Sequence, residues 1–198
     1  MTAPVVAMVV GGGLLVVATA LSLRARSAAS SFGWMVIAAF ACCMLGLAAA
    51  LRAPESDGFR AGVVQLVAAA LAAAVGALLI PRKEGEEAPK QTLAVMARGV
   101  AWLTLLGLPP SVGFHAKVML YRALLAAEWG WVAALAMAAA AAAMFPAARA
   151  LGSPPPLPLK GARALAAAAL VVAMIALGCY PQISLSLADL AEKVARPG

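Results

Sequence analysis

Charge is scarce in these 198 residues: 12% are Asp, Glu, Lys or Arg, where a soluble domain carries about a quarter. Histidine occurs once, cysteine three times, and aromatic residues make up 6%. One histidine and three cysteines leave no Cys-x-x-Cys pair, no metal-ligand spacing and no disulfide framework. No glycine-rich phosphate loop and no Gly-x-Ser-x-Gly is present, so hydrolase and metal-site readings have no residues to rest on. A net charge of +7 would invite nucleic acid as a partner, but no basic patch is interleaved with aromatic residues, which excludes it. Alternating strand patterning is absent as well.

What is abundant is apolar: 65% of the chain is hydrophobic, with a mean hydropathy of +0.97. A domain of this length has too little interior to bury so much apolar surface in water. Uncharged stretches run over 1–23, 27–51, 61–81, 99–116, 129–148 and 164–188. Each is close to or beyond the roughly 20 residues that a helix needs to cross a bilayer core. An open sheet edge cannot survive in hydrocarbon, so the expected fold class is an all-α integral membrane protein. It forms one transmembrane domain over 1–198, a bundle of six or seven transmembrane helices with one short or broken pair. The lipid bilayer is then its first partner, and the basic residues between apolar segments mark helix ends at headgroups.

The expected spans are 4–23, 32–51, 61–80, 93–108, 112–127, 129–148 and 164–182. Span 4–23 has no basic n-region before it, so it reads as a first membrane helix rather than a cleaved signal peptide. Its Gly11-Gly12-Gly13 run permits close approach by a neighbouring backbone. Cys42, Cys43 and Cys179 lie inside apolar runs and read as small buried hydrophobes. Arg52 and a Pro54 to Gly58 turn close the second span, and a mixed-charge linker occupies 81–90. Trp129 and Trp131 open the sixth span, where their rings favour the membrane interface. A proline-rich linker over 153–158 precedes the last. Alanine dominates the spans, which suits helices that associate by close packing. Counted over seven spans, loop Lys and Arg divide five against seven between the two faces, a lean toward an external N-terminus.

The informative region is the pair 93–108 and 112–127. Arg98 interrupts the first, His115, Lys117 and Arg122 interrupt the second, and Pro109-Pro110 separates them. A double proline stops one helix and leaves backbone groups unpaired, and non-helical backbone at membrane depth is tolerated only inside protein or beside a water-filled cavity. A lysine near the centre of a span costs about 2.5–3.5 kcal/mol on insertion scales and needs an interior partner or water. Lys117, six residues past Ser111, is therefore the leading candidate for a proton-exchanging group. Tyr121 lies one turn on and shares its face, whereas His115, two residues away, points elsewhere. The rival readings are that Lys117, Arg122 and Arg98 serve structure, with long stems reaching an interface, and that His115 is an ordinary packed imidazole.

At these residues a family resemblance emerges. Leu103-Thr104-Leu105-Leu106-Gly107-Leu108-Pro109-Pro110-Ser111-Val112-Gly113-Phe114-His115-Ala116-Lys117 resembles the Leu-Ala-Gly-Ile-Pro-Pro-Thr-x-Gly-Phe-x-x-Lys signature of the antiporter-like membrane subunits of NADH-quinone oxidoreductase (respiratory complex I), subunit N in particular. Ser30-Ser31-Phe32-Gly33-Trp34 is similar to the stretch that opens an earlier family helix. Ala176-Leu177-Gly178-Cys179-Tyr180-Pro181 is similar to the close of the last one.

The resemblance implies that Pro109, Pro110 and Gly113 break a helix, that Lys117 sits on a proton path with His115 and Tyr121 as relay or hydration partners, and that no redox cofactor is held. It implies other membrane subunits of a respiratory complex as partners, a bacterial inner membrane as location and an internal N-terminus, against the charge tally. Family members have about fourteen helices in two inverted repeats, and this chain has room for one repeat plus flanks. The expected function is a truncated subunit N-like membrane subunit of a proton-translocating NADH-quinone oxidoreductase. Two alternatives stay open: a structural subunit of the membrane arm that conducts nothing, and a component of an Mrp-like cation/proton antiporter.

Overall fold

The structure, a computed structural model, describes residues 2–79, 92–153 and 161–195. The polar linker expected at 81–90 lies outside them, as does 154–158 of the proline-rich linker. The described residues form helices and no strand: α1 (Ala3–Arg24), α2 (Ala28–Arg52), α3 (Gly58–Leu79), α4 (Thr92–Leu106), α5 (Val112–Ala126), α6 (Gly130–Ala142), α7 (Met144–Gly152), α8 (Ala162–Cys179) and α9 (Pro181–Ala195). α1, α2, α3, α8 and the run Gly130–Gly152 are each long and apolar enough to cross a membrane. The 22 residues of α1 rise about 33 Å, enough for a hydrocarbon core of ~30 Å. The chain is an all-helical integral membrane protein.

Local chemistry sets the helix ends. Pro4 stands in the first turn of α1, where its missing N–H costs nothing. Ser27 caps α2 by accepting from the Ser30 N–H at 3.1 Å. The expected span 129–148 is two helices, α6 and α7, because Pro146 cannot donate to the carbonyl one turn back and the helix kinks there. The expected span 164–182 ends at Cys179. Pro181 opens the separate α9, whose Ile183, Leu187, Leu190 and Val194 form an exposed apolar stripe.

Small residues bring α2 and α3 together, as the composition suggested. A Cβ on Gly58 would stand 2.5 Å from the Ala50 backbone nitrogen and 2.7 Å from the Gly46 oxygen. In α1 the close approach involves Gly11 alone, whose Cβ would meet Leu45 at 3.2 Å; Gly12 and Gly13 face open space. Trp129 is buried and only Trp131 is exposed, so one ring fills the core instead of both anchoring at headgroups. Cys42 and Cys43 are buried as expected, while Cys179, the last residue of α8, is exposed rather than buried.

α4 and α5 run in series alongside α2. Trp102 of α4 meets Phe32 near the start of α2, edge to face at 5.5 Å. Lys117 of α5 shares a cavity with Cys42 midway along, and Arg122 pairs with Asp57 beyond the far end at 3.6 Å. The two short helices are thus halves of one broken element rather than two full crossings, and α8 packs against both.

Candidate functional site

The break between α4 and α5 is built by its sequence. Gly107 takes a left-handed φ of +73°, a conformation that glycine adopts without penalty. The Leu108 N–H donates to the Leu103 carbonyl at 2.9 Å and the Gly107 N–H to Thr104 at 3.2 Å, the paired bonds that close a helix C-terminus. Pro109 and Pro110 follow, joined by a cis peptide bond, and neither can donate. The buried Ser111 hydroxyl donates to the Leu108 carbonyl at 2.7 Å, so part of the opened backbone is satisfied inside the protein.

Two glycines hold the break shut against its neighbours. A Cβ on Gly113 would collide with the Thr104 carbonyl oxygen of α4, and one on Gly178 with the Pro110 carbonyl oxygen. α8 therefore touches the break backbone to backbone. His115 secures the same contact: its Nε2 donates to the Gly178 carbonyl at 2.6 Å, which sets the tautomer and neutralises an end carbonyl of α8. The histidine thus faces α8, and it lines neither of the two cavities that Lys117 lines.

Lys117 is buried, with 7% of its surface exposed. Its stem lies on Gly107, where a Cβ would come within 2.5 Å of Cδ, so only glycine leaves room for it. On one side the lysine lines a small cavity of about 10 Å³ with Thr19 of α1, Cys42 of α2 and Leu105 of α4. On the other it lines a cleft of about 240 Å³ that includes Gly107, Tyr121, Met137 and Met144. Lys117 and Tyr121 share one face, as their spacing requires. A single amine therefore lines both a small cavity and a wide cleft.

The other cations have structural surroundings. Arg98 is buried, not drawn to an interface, and its guanidinium donates to the Leu151 and Ser153 carbonyls, the latter at 2.5 Å, at the C-terminal end of α7. A cation there also suits the helix dipole. Arg122 is largely exposed and pairs with Asp57, reaching outward as a long stem allows. Among the described residues no three His, Cys, Asp or Glu side chains stand close enough to share a metal ion.

Sequence reasoning missed Thr19, Cys42, Gly107 and Gly178 as part of this site. Thr19 carried a usable signal, being a hydroxyl three residues before Ser22 in an otherwise apolar run. Cys42 and Gly178 carried none, since their roles come from helices distant in sequence.

The fold is shared with a chain in the structure of the Mrp complex from Dietzia sp. DQ12-45-1b: TM-score 0.81 at 21% identity, covering 97% of this chain and 47% of that one. The protein spans about half the length of that relative. No family model and no curated protein sequence matches the chain.

Proposed function

We propose that this protein is an antiporter-like membrane subunit in which Lys117 takes up and releases protons as part of a multi-subunit complex in the bacterial inner membrane. The observation that carries the reading is the buried amine at a helix break, lining both a small cavity and a larger cleft. An ionisable side chain inside a membrane bundle is a candidate proton relay. The packing of Gly107, Gly113 and Gly178 fixes the lysine's stem and the break beside it, so the amine moves little while its hydration changes. Tyr121 on the cleft side supplies a hydroxyl that can both donate and accept. The likeness in fold to a chain of the Mrp complex supports this class.

Within that class two assemblies compete. The signature running from Leu103 to Lys117 favours the membrane arm of an NADH-quinone oxidoreductase, close to its subunit N, with redox chemistry held by other subunits. The fold likeness favours a cation/proton antiporter complex of the Mrp kind. Purification of the tagged protein from its native membranes in mild detergent, followed by mass spectrometry of the co-migrating chains, decides between them. Quinone-oxidoreductase subunits in fixed ratio establish the first assembly; antiporter subunits without them establish the second. Lys117→Ala tests the shared core of both readings. Proton translocation should fall by about tenfold or more with the complex still assembled, and unchanged translocation would reject the role.

A further inference from the structure

Thr19 is buried, 6% exposed, and its Oγ1 has no hydrogen-bond partner among the described residues. A buried hydroxyl left so is costly and calls for a partner. The cavity that Thr19 shares with Lys117 and Cys42 measures about 10 Å³, the space of one water molecule and no more.

One turn further along α1, Ser22 and Ser31 of α2 form a second buried polar cluster. Their hydroxyls lie 2.9 Å apart, and each donates to the other's carbonyl, at 3.2 Å and 3.1 Å. Residues three apart share a helix face, so Thr19 and Ser22 line the same side of α1. Beyond this pair the chain turns at Ala25, between Arg24 and Arg26. This pair satisfies itself and offers Thr19 no bond, so the unmet need of the Thr19 hydroxyl falls on the cavity it shares with Lys117.

We infer that Thr19 and Lys117 hold one internal water between them, which gives both the orphaned hydroxyl and the buried amine a hydrogen-bonding partner in the small cavity they share. The inference rests on the proposed proton-carrying role of Lys117 for its use, though the water site itself does not. Water and threonine each donate and accept, so the water can accept from the ammonium or donate to the neutral amine while staying bonded to Thr19. Thr19 is a positioning residue: it orients the water and does not itself ionise.

The test uses the full chain in its native complex, with Thr19→Val removing the hydroxyl at similar volume and Thr19→Ser restoring it. Solid-state NMR of the protein in lipid bilayers should show magnetisation passing from water to the Thr19 and Lys117 side chains. That transfer should be lost in Thr19→Val and regained in Thr19→Ser. Its absence from the wild-type protein overturns the water site, whatever the valine variant does. In native membranes, Thr19→Val should slow proton translocation several-fold and displace its pH profile, with Thr19→Ser returning both to wild type. If Lys117→Ala abolishes translocation while Thr19→Val matches wild type in rate and pH profile, the water's part in proton exchange is overturned and the proposed function stands. If Lys117→Ala changes nothing, the proposed function and the water's part in it fall together, and the water-transfer result alone judges the site.

Discussion

The α1–α3 region and the broken element α4–α5 are built on opposite principles from similar residues. α1, α2 and α3 are unbroken helices of 22, 25 and 22 residues, so their backbone groups bond within each helix and lipid can surround them. Gly46, Gly58 and Gly62 let α2 and α3 touch through their backbones, which is how helices gain contact where lipid offers no hydrophobic force between them. α4 and α5 interrupt the helix instead, at Gly107 to Ser111. The interruption frees backbone groups, and those groups require Ser111 and a closely packed α8 to cover them. Polar groups can then sit at membrane depth. Glycine is used in both regions for close approach, and what separates a scaffold from a site is the proline pair.

The sharpest way to break the comparison is to add side chains at glycines of the two kinds. Gly113→Val must push its new atoms into the Thr104 carbonyl, which is backbone and cannot move aside. We expect loss of folded protein, read as failure to recover a monodisperse peak from detergent. Gly12→Val and Gly13→Val face open space and should leave the thermal midpoint nearly unchanged. Equal tolerance at all three positions would mean that the break is not tightly packed.

Lys117→Arg sharpens the chemical half of the contrast. Arginine keeps the positive charge and does not release its proton, so it separates a requirement for charge from a requirement for proton exchange. Translocation should be lost about as completely as in Lys117→Ala; a rate near wild type would show that a fixed charge suffices. The bulkier guanidinium must also fit beside Gly107, so a melting measurement on the same variant shows whether the fold survives.

His115 tests which side of the break matters. Removing its ring leaves the Gly178 carbonyl without this donor, and His115→Ala should cost about 1–3 kcal/mol of stability. His115→Gln, which can donate, should recover part of that. If His115→Gln folds normally but stops translocation, the imidazole carries protons and the path runs past α8 as well as through Lys117.

Much of this was legible in the residues. The spans of α1, α2 and α3 follow from long uncharged runs, because insertion in lipid depends on local composition more than on partners. The break followed from Pro109-Pro110, and the shared face of Lys117 and Tyr121 from helical spacing. Partners supplied by other helices were not legible. Nothing local to Thr19 says that it shares a cavity with Lys117 nearly a hundred residues later, and nothing local to Trp129 says that its ring turns inward. The serial arrangement of α4 and α5 is likewise tertiary: two 15-residue helices fit a hairpin or a broken span equally well until their contacts with α2 are known.

The smallest effects belong to the cations outside the lysine site. Arg98 bonds carbonyls at the end of α7, so Arg98→Ala should destabilise by about 1.5–3 kcal/mol, the range for hydrogen bonds to charged groups. Arg122 is 72% exposed at its side chain, and its partner Asp57, 3.6 Å away, is shared with Arg60 at 3.7 Å. Its pair is one strand of a network in which Arg60 also meets Asp189 of α9 at 2.7 Å. Loss of Arg122 leaves Asp57 with Arg60 and leaves α9 tethered, so Arg122→Ala should change stability by less than about 1 kcal/mol and be masked by added salt. Arg60→Ala removes the cation that faces both Asp57 and Asp189 and should loosen α9, read as faster proteolysis near its end. If Arg122→Ala instead loosens α9 as much as Arg60→Ala does, the end of α5 carries the strap, and motion at Lys117 and at α9 would be mechanically joined.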